Sequence, residues 1–151
     1  MNQEQLFYQM NFVRQSTLKE LDETTEEQVD KMLKGFSNNI HWNFGHILAA
    51  TEHILQFVGE RSSFLESYGS YFNPGTSPKE WKDTPPSIRE IRKQLEEQPK
   101  RLEKILKGRL NEEMEKTFFG MKSIGELVAY FNCHESLHVG TVKGLKQALR
   151  S

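Results

Sequence analysis

Residues 124–149 read IGELVAYFNCHESLHVGTVKGLKQAL and decide the fold of this 151-residue chain. Apolar side chains and two histidines recur in this stretch at steps of three or four residues, which is the spacing of one buried helix face. The residues of this face are Ile124, Leu127, Phe131, His134, His138, Val142, Leu145 and Leu149. The spacing predicts a helix of a helical bundle, with both histidines on the side that faces the core.

The two histidines belong to the motif HESLH at residues 134–138. Histidines four residues apart can bind one divalent metal ion, whereas without a metal they would be buried rings satisfied by carbonyls or carboxylates. In metallohydrolases the glutamate of such a motif is the base for a metal-bound water, so Glu135 is the candidate catalytic residue. Its alternative role is structural, as an acid that pairs with a neighbouring helix or orients a ligand histidine. Because residues 139–151 contain no His, Asp, Glu or Cys, a third ligand must come from an earlier helix.

Helical periodicity predicts three more long helices earlier in the chain. Their bounds are residues 3–22, Ile40 to about Gly59 and Ile88 to about Lys107. Pro99 is expected to kink or split the last of these three helices. We therefore predict an all-α protein with a single domain, residues 1–151, that forms an antiparallel four-helix bundle.

Residues 60–86 form a long connection between the second and third predicted helices. Glycine and proline punctuate it, and it also contains Phe64, Tyr68, Tyr71, Phe72 and Trp81. A long loop with so many aromatic residues is expected to pack over another part of the protein. Two interpretations are open: a lid over a metal site, or a cover for the end of the bundle or a dimer surface.

The second predicted helix offers histidines on different faces. His46 and His53 lie on an apolar face, whereas the helical pattern places His41 towards solvent. His46 and His53 are seven residues apart, roughly 10 Å along the helix axis, so they cannot both bind the same ion. Only one of them can be the third metal ligand, and the spacing alone does not choose between them.

The composition excludes several classes of function. The formal net charge of −1 gives no electrostatic footprint for nucleic acid or for an anionic membrane, and no apolar run is long enough to span a bilayer. The polar, acidic N-terminus is unlike a secretory signal, and the single cysteine excludes an internal disulfide. We expect a cytoplasmic protein that acts on a small molecule.

Two short segments of the sequence resemble the DinB/YfiT-like family of metal-binding four-helix bundles. They are NIHWNFGHI at residues 39–47 and HESLHVG at residues 134–140. Trp42 followed four positions later by His46 matches the first half of the family's pattern, and the last-helix histidine pair matches the second half. The resemblance covers essentially the whole chain.

The resemblance implies a site in which His46, His134 and His138 bind one divalent ion, zinc or nickel, completed by water. His53 is then a core residue or a residue behind the ligands. Similar proteins are thiol-dependent S-transferases that use bacillithiol, mycothiol or glutathione, and others are metal-dependent hydrolases.

We therefore expect a metal-dependent enzyme that transfers a bacillithiol-like thiol to an electrophilic small molecule. One alternative is a hydrolase in which Glu135 assists a metal-bound water. The other is a non-catalytic, metal-stabilised binding protein. The resemblance also makes a homodimer plausible.

Overall fold

The structure is a computed structural model that describes residues 1–150 and is mostly helical. Within these residues, six α-helices follow one another as α1 Gln3–Asp22, α2 Glu26–Val29, α3 Ile40–Glu52, α4 Ser63–Phe72, α5 Ile88–Leu106 and α6 Ile124–Arg150. A hairpin of two antiparallel strands, β1 Glu113–Phe118 and β2 Met121–Ser123, precedes α6. The all-α prediction is right for most of the chain, and the hairpin is an element that it missed.

Side-chain caps explain where three of the long helices begin. Asn2, Asn39 and Ser87 each accept a hydrogen bond from the backbone N–H three residues later, in the first turn of α1, α3 and α5. Such caps satisfy N–H groups that have no partner within the helix, and each stabilises by about 1 kcal/mol. α3 continues as a 3-10 helix, His53–Val58, which ends at Gly59 with a φ angle of 75°.

The long helices α1 and α6 run in the same direction. Leu6 near the start of α1 lies beside Gly125 at the start of α6. Glu20 near the end of α1 forms a buried ion pair with Lys146 near the end of α6. The predicted antiparallel arrangement is therefore wrong for this pair, because the two helices are far apart in the chain and no short turn forces them to reverse.

α3 and α5 also run parallel to one another. His41 in the first turn of α3 contacts the carbonyl of Pro86, just before α5 begins. Glu52 at the end of α3 accepts a hydrogen bond from Gln98, farther along α5. Parallel helices need a connection that returns to the starting end, and residues 59–87 provide it. α1 and α3 each lie between α5 and α6.

The predicted loop at residues 60–86 contains helix α4, which packs against α3. Ser62 caps α4 by accepting a hydrogen bond from the N–H of Leu65. Phe64 and Phe72 are buried, and their rings stack 6.4 Å apart. The prediction of a loop throughout this segment is wrong, because aromatic residues at helical spacing outweigh the effect of Gly69.

Helix α5 is continuous through Pro99, so of the two predicted effects of the proline, a kink or a split, the split is wrong. Proline has no N–H, and it leaves the carbonyl of the residue four positions earlier, Leu95, without its usual helical partner. The guanidinium of Arg14 takes that place, because its Nη1 donates a hydrogen bond to the Leu95 carbonyl at 2.8 Å. A buried arginine from α1 thus satisfies the gap that Pro99 opens in α5.

The turn of the hairpin holds a bulky residue in the left-handed conformation. Phe118 pairs with Met121, so only Phe119 and Gly120 form the turn, with φ angles of 48° and 84°. Tight hairpin turns with positive φ at both central residues favour asparagine, aspartate or glycine. A residue with a side chain in this conformation costs about 1–2 kcal/mol. The Phe119 side chain is 81% exposed, so core packing does not explain its presence.

Candidate metal site

Helices α3 and α6 bring three histidines together where they pack against one another. The Nε2 atom of His134 lies 3.3 Å from the Nε2 atom of His46 and 3.2 Å from the Nε2 atom of His138. Within residues 1–150, these three side chains form the group of His, Cys, Asp or Glu whose ligand atoms could hold a metal ion. The group contains no carboxylate.

The opposite ring nitrogens of two of these histidines are held by acceptors. The Nδ1 atom of His46 lies 2.7 Å from the carbonyl oxygen of Phe72, and the Nδ1 atom of His138 lies 2.8 Å from the Oδ1 atom of Asn43. A carbonyl oxygen can only accept, so each Nδ1 carries the proton and donates it. Both Nε2 atoms therefore present lone pairs towards the centre of the group, which is how metal-binding histidines are usually oriented.

This donor set fits a divalent metal ion. The Nε2 atoms of all three rings converge, and those of His46 and His138 carry no proton. Without a metal ion, at most the His134 ring can donate a hydrogen bond at the centre, so unshared electron pairs of neutral imidazoles would face one another. Zinc bound tetrahedrally at 2.0–2.1 Å would space its nitrogen ligands by about 3.3 Å, which agrees with the two separations in the structure. Three protein ligands also leave a position for a small molecule, as in catalytic zinc sites.

The three histidines are neutral near pH 7. Burial, together with the proximity of His46, lowers the pKa of His134 to about 4 and that of His138 to about 3. Burial likewise lowers the pKa of His46, although its hydrogen bond to Phe72 opposes the effect. Neutral imidazole is the form that coordinates a metal, so the site does not need to lose protons before binding.

The other two histidines of α3 and its extension lie outside this group. The Nε2 atom of His53 lies 3.1 Å from the Oδ1 atom of Asn73. The prediction that His41 faces solvent is wrong, because its side chain is buried between the carboxylate of Asp30 and the carbonyl of Pro86. A helical pattern cannot anticipate this cover, since it comes from residues on both sides of α3 in the chain.

The carboxylate of Glu135 is bound by side chains of α1. Its Oε1 atom lies 2.7 Å from Nε of Arg14 and 2.5 Å from the Thr17 hydroxyl, and its Oε2 atom lies 3.1 Å from Nη2 of Arg14. All three side chains are buried. Because Arg14 and Thr17 occupy both oxygens of this carboxylate, the contacts favour the structural role for Glu135.

The Arg14 contacts extend into a chain of buried hydrogen bonds. Nη2 of Arg14 donates to Oε1 of Gln98 at 2.8 Å, and the Gln98 amide donates to Oε1 of Glu52 at 2.7 Å. Ser62 and Arg101 also bind Glu52. These hydrogen bonds thus connect α6, which supplies two of the candidate ligands, to α1, α5, α3 and the start of α4. The members of this network are scattered along the chain, so no local pattern in the sequence predicts it.

Gly45 allows α4 to lie directly against α3 beside the candidate ligand His46. A Cβ atom at this position would lie 2.4 Å from atoms of the buried Phe72 ring, closer than any real contact. We expect Gly45→Ala to lower the free energy of unfolding by about 1–3 kcal/mol, because the ring and the carbonyl that binds His46 must move. Urea denaturation followed by circular dichroism measures this change.

A matched control for that substitution is Gly144→Ala in α6. A Cβ atom at Gly144 meets nothing within 4 Å, and alanine in an exposed helix interior is favoured over glycine by up to about 1 kcal/mol. The control should therefore be neutral or stabilising. Equal stability of Gly45→Ala and the wild type would show that α4 can shift without loss.

The fold and the site together define a mostly helical protein with three histidines that could bind one metal ion. The chain belongs to the DinB superfamily, whose sequence model matches residues 9–142. The superfamily is metal-binding, in agreement with the histidine group. A comparison with curated proteins finds no match. Within residues 1–150, no helix is long and apolar enough to cross a membrane.

Proposed function

We propose that the protein is a metal-dependent enzyme that transfers a low-molecular-weight thiol to an electrophilic small molecule, in a four-helix bundle typical of its superfamily. The observation that carries this proposal is the convergence of the Nε2 atoms of His46, His134 and His138. Zinc or nickel fits three neutral imidazoles. When bound, such an ion lowers the pKa of a thiol placed beside it.

The absence of a carboxylate from the histidine group favours a thiol over water as the nucleophile. A free thiol has a pKa near 8.5, so beside a metal ion it becomes a thiolate near neutral pH without a side-chain base, whereas a metal-bound water, with a pKa near 7, still benefits from a base that takes its proton during hydrolysis. Glu135, the candidate base, is paired with Arg14 and bound by Thr17. A nucleophile that needs no strong base suits such surroundings.

The proposed reaction is a substitution at carbon. The thiol proton passes to solvent, and the thiolate sulfur forms a bond with the electrophilic carbon. The bond between this carbon and the leaving group breaks, and its electron pair departs with the leaving group. The three histidines serve to hold the ion and, through it, the orientation of the thiol.

The proposal is tested by supplying the zinc-loaded or nickel-loaded protein with chlorodinitrobenzene and, in turn, bacillithiol, mycothiol, glutathione or cysteine. Thiols react slowly with chlorodinitrobenzene on their own, so the rate of thioether formation is measured by mass spectrometry above that background. We expect this excess rate only when thiol, metal and protein are all present, and we expect its loss in His134→Ala. Cleavage of nitrophenyl esters without any thiol would replace the proposal with a hydrolase. Metal retention without turnover in either assay would leave a binding protein.

We also propose that the protein works in the cytoplasm as a homodimer. Tyr8 and Phe12 on α1 support pairing, because their rings stack 6.5 Å apart while 72% and 64% of their surfaces remain exposed. Large exposed aromatic patches are typical of interfaces. Light scattering coupled to size-exclusion chromatography measures the assembly, and a monomer at micromolar concentration would contradict this part of the proposal.

A further inference from the structure

The tip of the hairpin carries an aromatic side chain that the fold itself does not require. Phe119 occupies a turn position with a φ angle of 48°, where asparagine or glycine would fit without strain. Its ring is 81% exposed and therefore contributes little to the core. A strained, exposed and bulky residue points to a role outside folding.

A continuous row of aromatic rings leads from this tip to the candidate metal site. The Phe119 ring centre lies 5.9 Å from the ring centre of Tyr130 on α6. The Tyr130 ring in turn stacks on His134, with centres 6.0 Å apart and planes inclined by 28°. Tyr130 is only partly buried, so one face of this row of rings is accessible to a small molecule beside the candidate ligand His134.

We propose that Phe119 and Tyr130 form a binding wall for the apolar, planar part of the electrophile, so that the preferred substrates carry an aryl group. This inference rests on the proposed thiol transfer at the same site. Aromatic rings stack on one another with centres 4.5–7 Å apart, which is the spacing already present along the row. Phe118 and Phe131 pack behind the wall and hold it in place.

The test compares the wild type with Phe119→Asn. Asparagine is favoured in this turn, so the variant should fold and its melting temperature should rise by about 2–4 °C. With chlorodinitrobenzene as the electrophile, KM should rise about tenfold, since one ring contact is lost. With iodoacetamide, which has no aryl group, KM should stay within about twofold. Phe36→Asn, at an exposed phenylalanine between α2 and α3, should change neither KM.

Direct binding separates this inference from the proposed function. Calorimetry of the metal-loaded protein should show that Phe119→Asn binds S-(dinitrophenyl)cysteine about tenfold more weakly, with no change for S-(carboxamidomethyl)cysteine. Loss of aryl binding in the variant supports the wall even if the wild type shows no turnover, a result that would overturn only the thiol transfer. Unchanged aryl binding, or a change of oligomeric state in its place, would overturn the wall.

Discussion

Replacement of Arg14 by alanine is expected to lower the free energy of unfolding by about 3–5 kcal/mol. The substitution removes the cation that pairs with Glu135, whose side chain is 3% exposed, and leaves that charge buried. It also leaves the Leu95 carbonyl without a donor, because Pro99 cannot supply one. The shift of the urea midpoint, followed by circular dichroism, measures the loss.

The missing N–H of Pro99 allows a second test of the role of Arg14. Pro99→Ala restores an N–H that can donate to the Leu95 carbonyl, so part of the loss caused by Arg14→Ala should be recovered in the double variant. We expect a coupling energy of about 1–2 kcal/mol between the two positions, the usual consequence of leaving a buried carbonyl unpaired. An equal effect of Arg14→Ala in both backgrounds would mean that the arginine does not compensate for the proline.

An exposed ion pair provides the control for the Arg14 substitution. Arg92 on α5 binds Asp22 at the end of α1 through two hydrogen bonds, and this contact lowers the pKa of the aspartate. Surface pairs of this kind contribute at most about 1 kcal/mol, so Arg92→Ala should be nearly silent. A loss as large as that of Arg14→Ala would show that the contribution of an arginine between α1 and α5 to the free energy of unfolding does not depend on its burial.

Periodicity predicts the long helices well because each has one buried face. The bounds of α1 and α5, and the length of α3 with its 3-10 extension, agree with the sequence within a residue or two. Helix α4 was missed although Ser62, Glu66 and the spacing of Phe64, Tyr68 and Phe72 are helix signals. The many prolines and glycines that follow it obscured these signals.

The hairpin could not be predicted in the same way. Its first strand, Glu113–Phe118, has little alternation of apolar and polar residues, and its turn places Phe119 where asparagine or glycine is usual. The direction of the helices was also beyond the sequence, because long connections permit either direction. The directions of the helices decide which residues surround each buried polar group, so these contacts could not be predicted either.

For the candidate site, residue spacing identified the histidine pair of α6 but left the choice between His46 and His53 open. The family resemblance favoured His46, and the structure places its Nε2 atom with those of the pair. The motif alone suggested a base at Glu135, whereas Arg14, 121 residues away in the chain, binds this carboxylate. Contacts over such distances decide whether a glutamate can act as a base, and no local pattern records them.

The second large effect is expected in metal content. Protein purified without an affinity tag should contain about one zinc or nickel ion per chain by plasma mass spectrometry. His46→Ala should lose most of this metal, because two imidazoles on one helix bind far more weakly than three from two helices. His53→Ala is the matched control and should keep the metal, since the Nε2 atom of His53 lies against Asn73 and not in the group.

Removal of the metal should also show how much the bound ion stabilises the packing of α3 against α6. An ion that binds only the folded state, present at about 100 times its dissociation constant, adds about 2.7 kcal/mol, which corresponds to roughly 5–10 °C in melting temperature for a chain of this size. Chelation should therefore lower the melting temperature of the wild type and of His53→Ala, but not that of His46→Ala. If no metal is found in the wild type, and none is taken up on addition, the three histidines are core residues and the thiol transfer proposed for them fails with the site.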